Sequence, residues 1–227
     1  MTPKNWSPTL PKVKSKADLV YEQLRGAIAD GNLRPGQRVN MDELARAFEV
    51  SKIPVREAVK RLESEGLLVS RVHSGVTVAE VDLTEMRGVF LARETIEGLV
   101  ARLAAENADA ELLSNLEGVQ LEMSTALGTG DLGTLPELNS RFHGLLAEAT
   151  GYRILTELTE QLLLTVRRYR VVAPMDDLNW RSVLSEHETI ITAMREGDVR
   201  ATAAAAMAHT SSQARHEITE QAPGKEG

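Results

Sequence analysis

Of the chain's five histidines, four fall in its second half: His143, His187, His209 and His216. Asn139 and His143 stand four apart in LNSRFHGLL, so on a helix they share one face. Leu138, Phe142 and Leu146 border that face and turn it toward a core. His187 falls among Leu184, Ile190, Ile191 and Met194, again on an apolar face. His209 follows Ala205 and Ala206, whose small side chains let helices approach closely. Imidazole is the commonest protein ligand for zinc and similar metals, and three imidazoles with one oxygen donor can hold such an ion. The competing interpretation makes each histidine a hydrogen-bonded core residue, because no compact cluster such as H-E-x-x-H is present.

A second chemistry-bearing stretch is SKIPVREAVKRLESEGLL, residues 51–68. Pro54 suits the first position of a helix, where its missing N–H costs nothing. Arg56 and Lys60 then lie one turn apart on one face, while Val55, Ala58, Val59 and Leu62 turn to the other. Lys52 and Arg61 add to the basic character. A helix that enters the major groove of DNA needs this division into an apolar back and a cationic front. Periodicity alone describes a surface helix with solvated charges equally well.

The elements that must position these residues follow from pattern and punctuation. Residues 1–16 carry four lysines, three prolines and no acid, and read as a flexible basic arm. A helical pattern runs from about Ala17 to Asp30 and stops at Gly31, with turn chemistry in LRPGQ. Asn40-Met-Asp-Glu43 has the form of a capping box that opens a short helix through Phe48. After residues 51–68, VSRVHSGVTVAEV gives two β-rich runs around His-Ser-Gly, a hairpin. Three helices and a hairpin make a winged helix-turn-helix over residues 17–80. Beyond it helical patterns run roughly over 83–107, 110–128, 134–149, 152–172, 182–196 and 198–219. Their short breaks predict antiparallel neighbours in an all-α bundle over residues 81–219. Residues 220–227 read as a disordered tail. The fold class is thus mainly α.

Charge divides along the same line. The net charge is −7, yet residues 1–80 carry 13 Lys+Arg against 10 Asp+Glu and residues 81–227 carry 13 against 23. A basic module that meets an anion is joined to an acidic module with another task. Cysteine is absent, which excludes disulfides, thiolate catalysis and cysteine zinc sites and fits a reducing cytoplasm. No signal-like or membrane-spanning apolar run is seen, so a soluble cytoplasmic protein is expected. Arg167, Arg168 and Arg170 form a charge run that reads as a solvated face, Trp180 reads as core or interface, and Trp6 as exposed.

LARAFEVSKIPVREAVKRLESEGLL resembles the DNA-binding pattern of the GntR family of bacterial transcription regulators. It matches at Leu44, Ala45, Val50, Ser51, Pro54, Val55, Arg56, Glu57, Ala58, Leu62, Glu65, Gly66 and Leu67, and GNLRPGQRV matches the family's upstream turn. The resemblance implies operator contacts from Lys52 and Arg56, with Lys60 on the same face and the wing glycine, Gly75, near the minor groove. Three positions depart from the pattern: Lys52 replaces the usual arginine, Ile53 the usual capping threonine, and Ser74 stands where the wing often has arginine. The second half is similar to the FCD effector domain of the FadR-type subgroup. That similarity implies a divalent metal, zinc or nickel, held by Asn139, His143, His187 and His209. Asn139 stands where aspartate is usual, which removes one negative charge from the set. His216 competes for the last place, and the distance after Gly197-Asp198 favours His209. Arg93 resembles a pocket-lining position suited to a carboxylate effector, or else makes an exposed i,i+4 pair with Glu97.

A non-enzymatic, metabolite-responsive regulator follows as the expected function. It would be a homodimeric repressor that leaves its double-stranded operator when a small organic acid binds the helical domain. The alternative from another class is a metal-dependent enzyme in which the three-histidine site activates water. No carboxylate in the sequence is clearly placed as its general base.

Overall fold

A computed structural model describes residues 14–71, 75–80, 83–170 and 175–219. Most of the expected basic arm, with Trp6, the hairpin turn with Ser74, and the tail at 220–227 lie outside the described residues. Chain contacts divide the molecule into two compact units, residues 1–28 with 32–79, and residues 29–31 with 80–227.

In the first unit, α1 (Lys16–Ala29) begins at a reciprocal pair. The Asp18 backbone N–H donates to Ser15 Oγ at 3.1 Å and the Ser15 N–H to Asp18 Oδ2 at 3.0 Å. α2 (Met41–Ala47) is capped by Asn40, whose Oδ1 accepts the Asp42 N–H at 3.0 Å, as its sequence form requires. The turn that follows places Glu49 at φ 52°, a left-handed conformation that ordinarily falls to glycine or asparagine. α3 (Lys52–Ser64) starts two residues before Pro54, so the proline is third in the helix rather than first. The physical reason survives the correction, since none of the first four N–H groups of a helix has an intrahelical acceptor. Ser51 caps α3 without a side-chain hydrogen bond.

β2 (Leu68–Arg71) and β3 (Gly75–Val78) form the expected antiparallel hairpin. A third strand, β1 (Arg38–Val39), pairs with β3 in the register Arg38↔Thr77 and Val39↔Val76, giving the order β1-β3-β2. Two residues are too few for any periodicity, so this strand has no signature in the sequence. Val55, Ala58, Val59 and Leu62 of α3 are all buried, with Val20, Leu24 and Ile28 of α1 and Leu67, Val76 and Val78 near the sheet. At the end of α3, Glu65 accepts the Tyr21 hydroxyl at 2.8 Å, and the Arg61 guanidinium lies 3.7 Å over the Tyr21 ring. Burial first, and then the Glu65 hydrogen bond, push the Tyr21 phenol up to about 12.

The second unit holds α4 (Leu83–Glu106), α5 (Ala110–Thr129), α6 (Leu135–Ala149), α7 (Arg153–Arg170), α8 (Asp177–Arg195) and α9 (Val199–Thr219). α5 packs on α6, α6 on α7, and α8 on α9. Their connections are too short to run back along a helix, so each pair is antiparallel. α8 starts five residues before the sequence pattern suggests, because Asp176 caps it by accepting the Asn179 N–H at 2.8 Å. α4 packs along α9. Gly98 permits this close approach, for a Cβ there would lie 2.6 Å from Met207 Cγ. Leu116, Met123, Leu135, Phe142, Trp180, Ile190 and Ile191 form the centre of the core. Among the described residues no helix is long and apolar enough to cross a membrane.

Candidate functional site

On α3 the two faces separate cleanly. Lys52, Arg56 and Lys60 are exposed, opposite the buried Val55, Ala58 and Val59. Lys52 is held by Asp42 of α2, with Nζ to Oδ1 at 2.8 Å. Ile53, which stands in the place of a capping threonine, is 66% exposed on the same turn and presents an apolar tip beside the cations. Gly75 opens β3 at φ 79°, and the Arg38 guanidinium lies where its Cβ would be met at 3.4 Å. Arg38 is exposed and reaches the wing through β1, a cation at the wing that sequence reasoning missed.

In the second unit, His143 of α6, His187 of α8 and His209 of α9 converge, with their ligand nitrogens within 4.8 Å of one another. His216 is half-buried and stands outside this group. Asn139 is buried one turn before His143, and its Oδ1 has no partner. His187 is wholly buried, stacks on Phe142 at 3.8 Å, and has no partner on either ring nitrogen. Each of the other two imidazoles is aligned by a carboxylate. His143 Nδ1 meets Glu97 Oε2 at 3.1 Å, and His209 Nδ1 meets Glu186 Oε2 at 2.8 Å. Burial would raise the Glu97 carboxyl, but Arg93 and then His143 outweigh it and hold Glu97 well below the usual carboxylate range. At Glu186 burial is likewise overcome by the hydrogen bond from His209, so it too is lowered. Ionised acceptors at Nδ1 fix both rings with the proton on Nδ1 and a lone pair on Nε2.

Those two Nε2 atoms face each other at 3.2 Å, and two acceptors cannot bond one another. Protonation is a poor remedy. Burial, only partly offset by Glu186, pulls His209 down to about 4. Burial and then the neighbouring charges lower His187 well below its ordinary value. A divalent cation resolves the arrangement. Ligands about 2.0–2.1 Å from zinc at right or tetrahedral angles lie about 2.9–3.4 Å apart, and His187 and Asn139 supply further partnerless donor atoms. The three imidazoles present therefore fit such an ion, which they would hold through their ring nitrogens.

Two predicted surroundings need correction. Arg93 does pair with Glu97, Nε to Oε1 at 2.6 Å, but the pair is buried rather than exposed. Arg168 and Arg170 are buried too, and Arg167 is largely covered and pairs with Glu137, so the solvated arginine face does not exist. The last turn of α7 packs inward: Arg168 approaches Glu85, and the Arg170 guanidinium lies 5.1 Å from the Trp180 ring centre. Trp180 is core.

Residues 16–78 match the family described as bacterial regulatory proteins, gntR family, and residues 88–212 match the FCD domain, more than half of the chain. The chain belongs to the GntR family, with an FCD domain. Among its relatives is the HTH-type transcriptional regulator YdhC of Bacillus subtilis (strain 168), 30% identical over 197 residues, covering 86% of this chain and 88% of that one. The HTH-type transcriptional repressor RspR of Escherichia coli (strain K12) is 28% identical over 179 residues, covering 79% and 78%. In fold, E. coli McbR/YncC superposes with a TM-score of 0.83 at 22% identity, covering 92% of this chain and all of the other. This GntR-family chain is accordingly a transcription regulator that binds DNA, and its relatives' names point to regulation rather than catalysis.

Around the histidines the sequence carried no sign of Glu186 or Gln213, nor of the part that Glu97 and Arg170 play there. Gln213, one turn beyond His209, donates from Nε2 to His209 Nε2 at 2.7 Å. Its Oε1 accepts Arg93 Nη1 at 3.1 Å and Arg170 Nη2 at 3.0 Å. Only a buried carboxamide set between two arginines and a histidine, from three helices, makes this residue legible. Glu97 offered a signal, four residues after Arg93, but its second oxygen is used by an imidazole 46 positions away in sequence.

Proposed function

We propose that the protein is a homodimeric, metabolite-responsive repressor that acts in the cytoplasm on double-stranded operator DNA. Arg56 reads a base from the major groove, Lys52 leaves Asp42 for a phosphate or base, and Lys60 contacts the backbone. Ile53 offers an apolar contact to a thymine methyl, and Gly75 lets the wing backbone approach the minor groove. One recognition helix per chain gives limited affinity, so two chains read two half-sites. In the helical unit, Asn139, His143, His187 and His209 hold a divalent metal, zinc or nickel, and a small carboxylate effector binds beside Arg93. The effector releases DNA by favouring an arrangement of the dimer that binds the operator poorly.

The observation that carries this proposal is the set of partnerless buried donors. His187 has two orphan ring nitrogens, Asn139 one orphan oxygen, and His143 Nε2 meets only another ring lone pair, that of His209. Left alone, each orphan costs about 1–3 kcal/mol, which a domain would not retain without a ligand. Both carboxylates at the cluster are engaged with imidazole Nδ1 atoms, so neither stands ready as a general base. The test is a gel shift with DNA from upstream of the protein's own gene, with zinc or nickel and a panel of small organic acids. Elemental analysis of the wild type and His143→Ala accompanies it. Sequence-specific binding that one acid relieves, with metal in the wild type only, is expected. A protein that takes up no metal, or whose DNA complex no acid affects, refutes the proposal.

A further inference from the structure

Gln213 is 1% exposed and Arg93 wholly buried, yet the guanidinium is incompletely satisfied. Arg93 Nε binds Glu97 and Nη1 binds Gln213, whereas Nη2 has no partner. The Gln213 amide orientation is fixed by its neighbours. Its oxygen must face the two guanidiniums, which only donate, and its nitrogen must face the lone pair of His209 Nε2. A carboxamide and a carboxylate have nearly the same shape. Gln213 thus sits as a neutral copy of a carboxylate, and it meets the demand of Arg93 with one oxygen where a carboxylate brings two.

We propose that Gln213 occupies the seat of the effector's carboxylate, and that an incoming carboxylate takes its place between Arg93 and Arg170. The proposal rests on the interpretation of the helical unit as a carboxylate-responsive, metal-holding domain. Metal loading prepares the exchange. With a cation on the Nε2 of His209, the Gln213 nitrogen loses its acceptor. Turning the amide over would instead point N–H groups at two guanidiniums, so neither orientation remains satisfied. The free carboxylate then offers a second oxygen to Arg93 Nη2. Gln213 is therefore a specificity-determining residue: its side chain excludes weak or neutral ligands, and its length sets how close the acid comes to α9.

The experiment uses the full-length, metal-loaded protein and acetate, the smallest carboxylate probe, with titration calorimetry as the readout. Elemental analysis and helical circular dichroism confirm metal content and folding. Gln213→Ala is expected to bind acetate about tenfold more tightly, the gain when a seat open roughly a tenth of the time becomes permanently open. Gln213→Glu places a tethered carboxylate in the seat and is expected to bind no acetate while keeping its metal. Should Gln213→Ala fail to fold, Gln213→Asn, which withdraws the amide by one methylene, is expected to shift affinity in the same direction. Acetate binding that is equal in all variants, or weaker in Gln213→Ala, overturns the assignment of Gln213 and leaves the carboxylate effector standing. Acetate binding to none of them overturns both.

Discussion

Replacing His187 by leucine should make the metal-free protein more stable and the metal-loaded protein less stable than wild type. The ring is fully buried against Phe142, and both its nitrogens lack partners. Removing two orphaned polar atoms relieves about 1–3 kcal/mol each. Against this stand the lost stacking on Phe142, about 0.5–1.5 kcal/mol, and an imperfect fit of similar volume, up to about 1.5 kcal/mol. The balance favours the variant by roughly 2 kcal/mol in the metal-free state. With zinc at a hundred times its dissociation constant, the wild type gains about 2.7 kcal/mol. The variant, short of one imidazole, gains little, so the order of stabilities reverses. Urea unfolding followed by Trp180 fluorescence, in chelator and then in zinc, measures both states of this unit. A variant less stable than wild type under both conditions would mean that His187 is an ordinary packed residue whose nitrogens find water. The deduction from orphaned donors would then fail.

Other expectations follow from the same structure. Arg56→Ala should lose about 1–3 kcal/mol of operator affinity and relax sequence preference, whereas Lys60→Ala should weaken all DNA similarly and lower the salt slope by about one; fluorescence anisotropy across salt concentrations separates the two. Glu49→Gly should stabilise the first unit by up to about 1 kcal/mol, because glycine adopts the φ of 52° without the left-handed penalty of about 1–2 kcal/mol, less its own entropy cost. An unchanged or lower melting temperature would contradict this. Metal-free protein should lose stability in acid. The folded His209 at about 4 and the still lower His187 both lie below their unfolded value near 6.5, so between these values the unfolded chain binds more protons. Their contribution is intact above about pH 6.5 and falls as pH drops, by up to about 1.4 kcal/mol per unit for each histidine. Lowered Glu97 and Glu186 act in the same direction at lower pH. A melting temperature that is flat from pH 7 to 4.5 would refute the assignment of neutral buried histidines.

Much of this molecule is local, and what is local was readable in its sequence. The Asn40 cap, the two-faced α3, the hairpin and the helical punctuation each depend on residues within a few positions, where periodicity and capping chemistry act. The charge contrast between halves and the apolar faces carrying His143, His187 and His209 are of this kind. Boundaries depart from the pattern where Asp176 caps a helix ahead of its apolar periodicity and where Pro54 falls third in its helix rather than first.

What the tertiary structure alone decided is which polar groups satisfy one another. A run of three arginines near the end of α7 carries no mark of burial, because burial is set by the helices packed around it and not by its neighbours in the chain. Arg93 and Glu97 announce an ion pair by spacing, but only α6 and α9 closing over α4 make it an interior one. His209 rather than His216 joins the cluster because α9 turns the first inward, held there by Glu186. Gln213 is an unremarkable polar residue in sequence, and its meeting with Arg93 and Arg170 exists only once α4 and α7 converge on α9. Covalent spacing determines faces and caps; the partner a buried polar atom finds depends on long-range packing, and in this chain both the candidate metal centre and the candidate effector seat are made of such atoms.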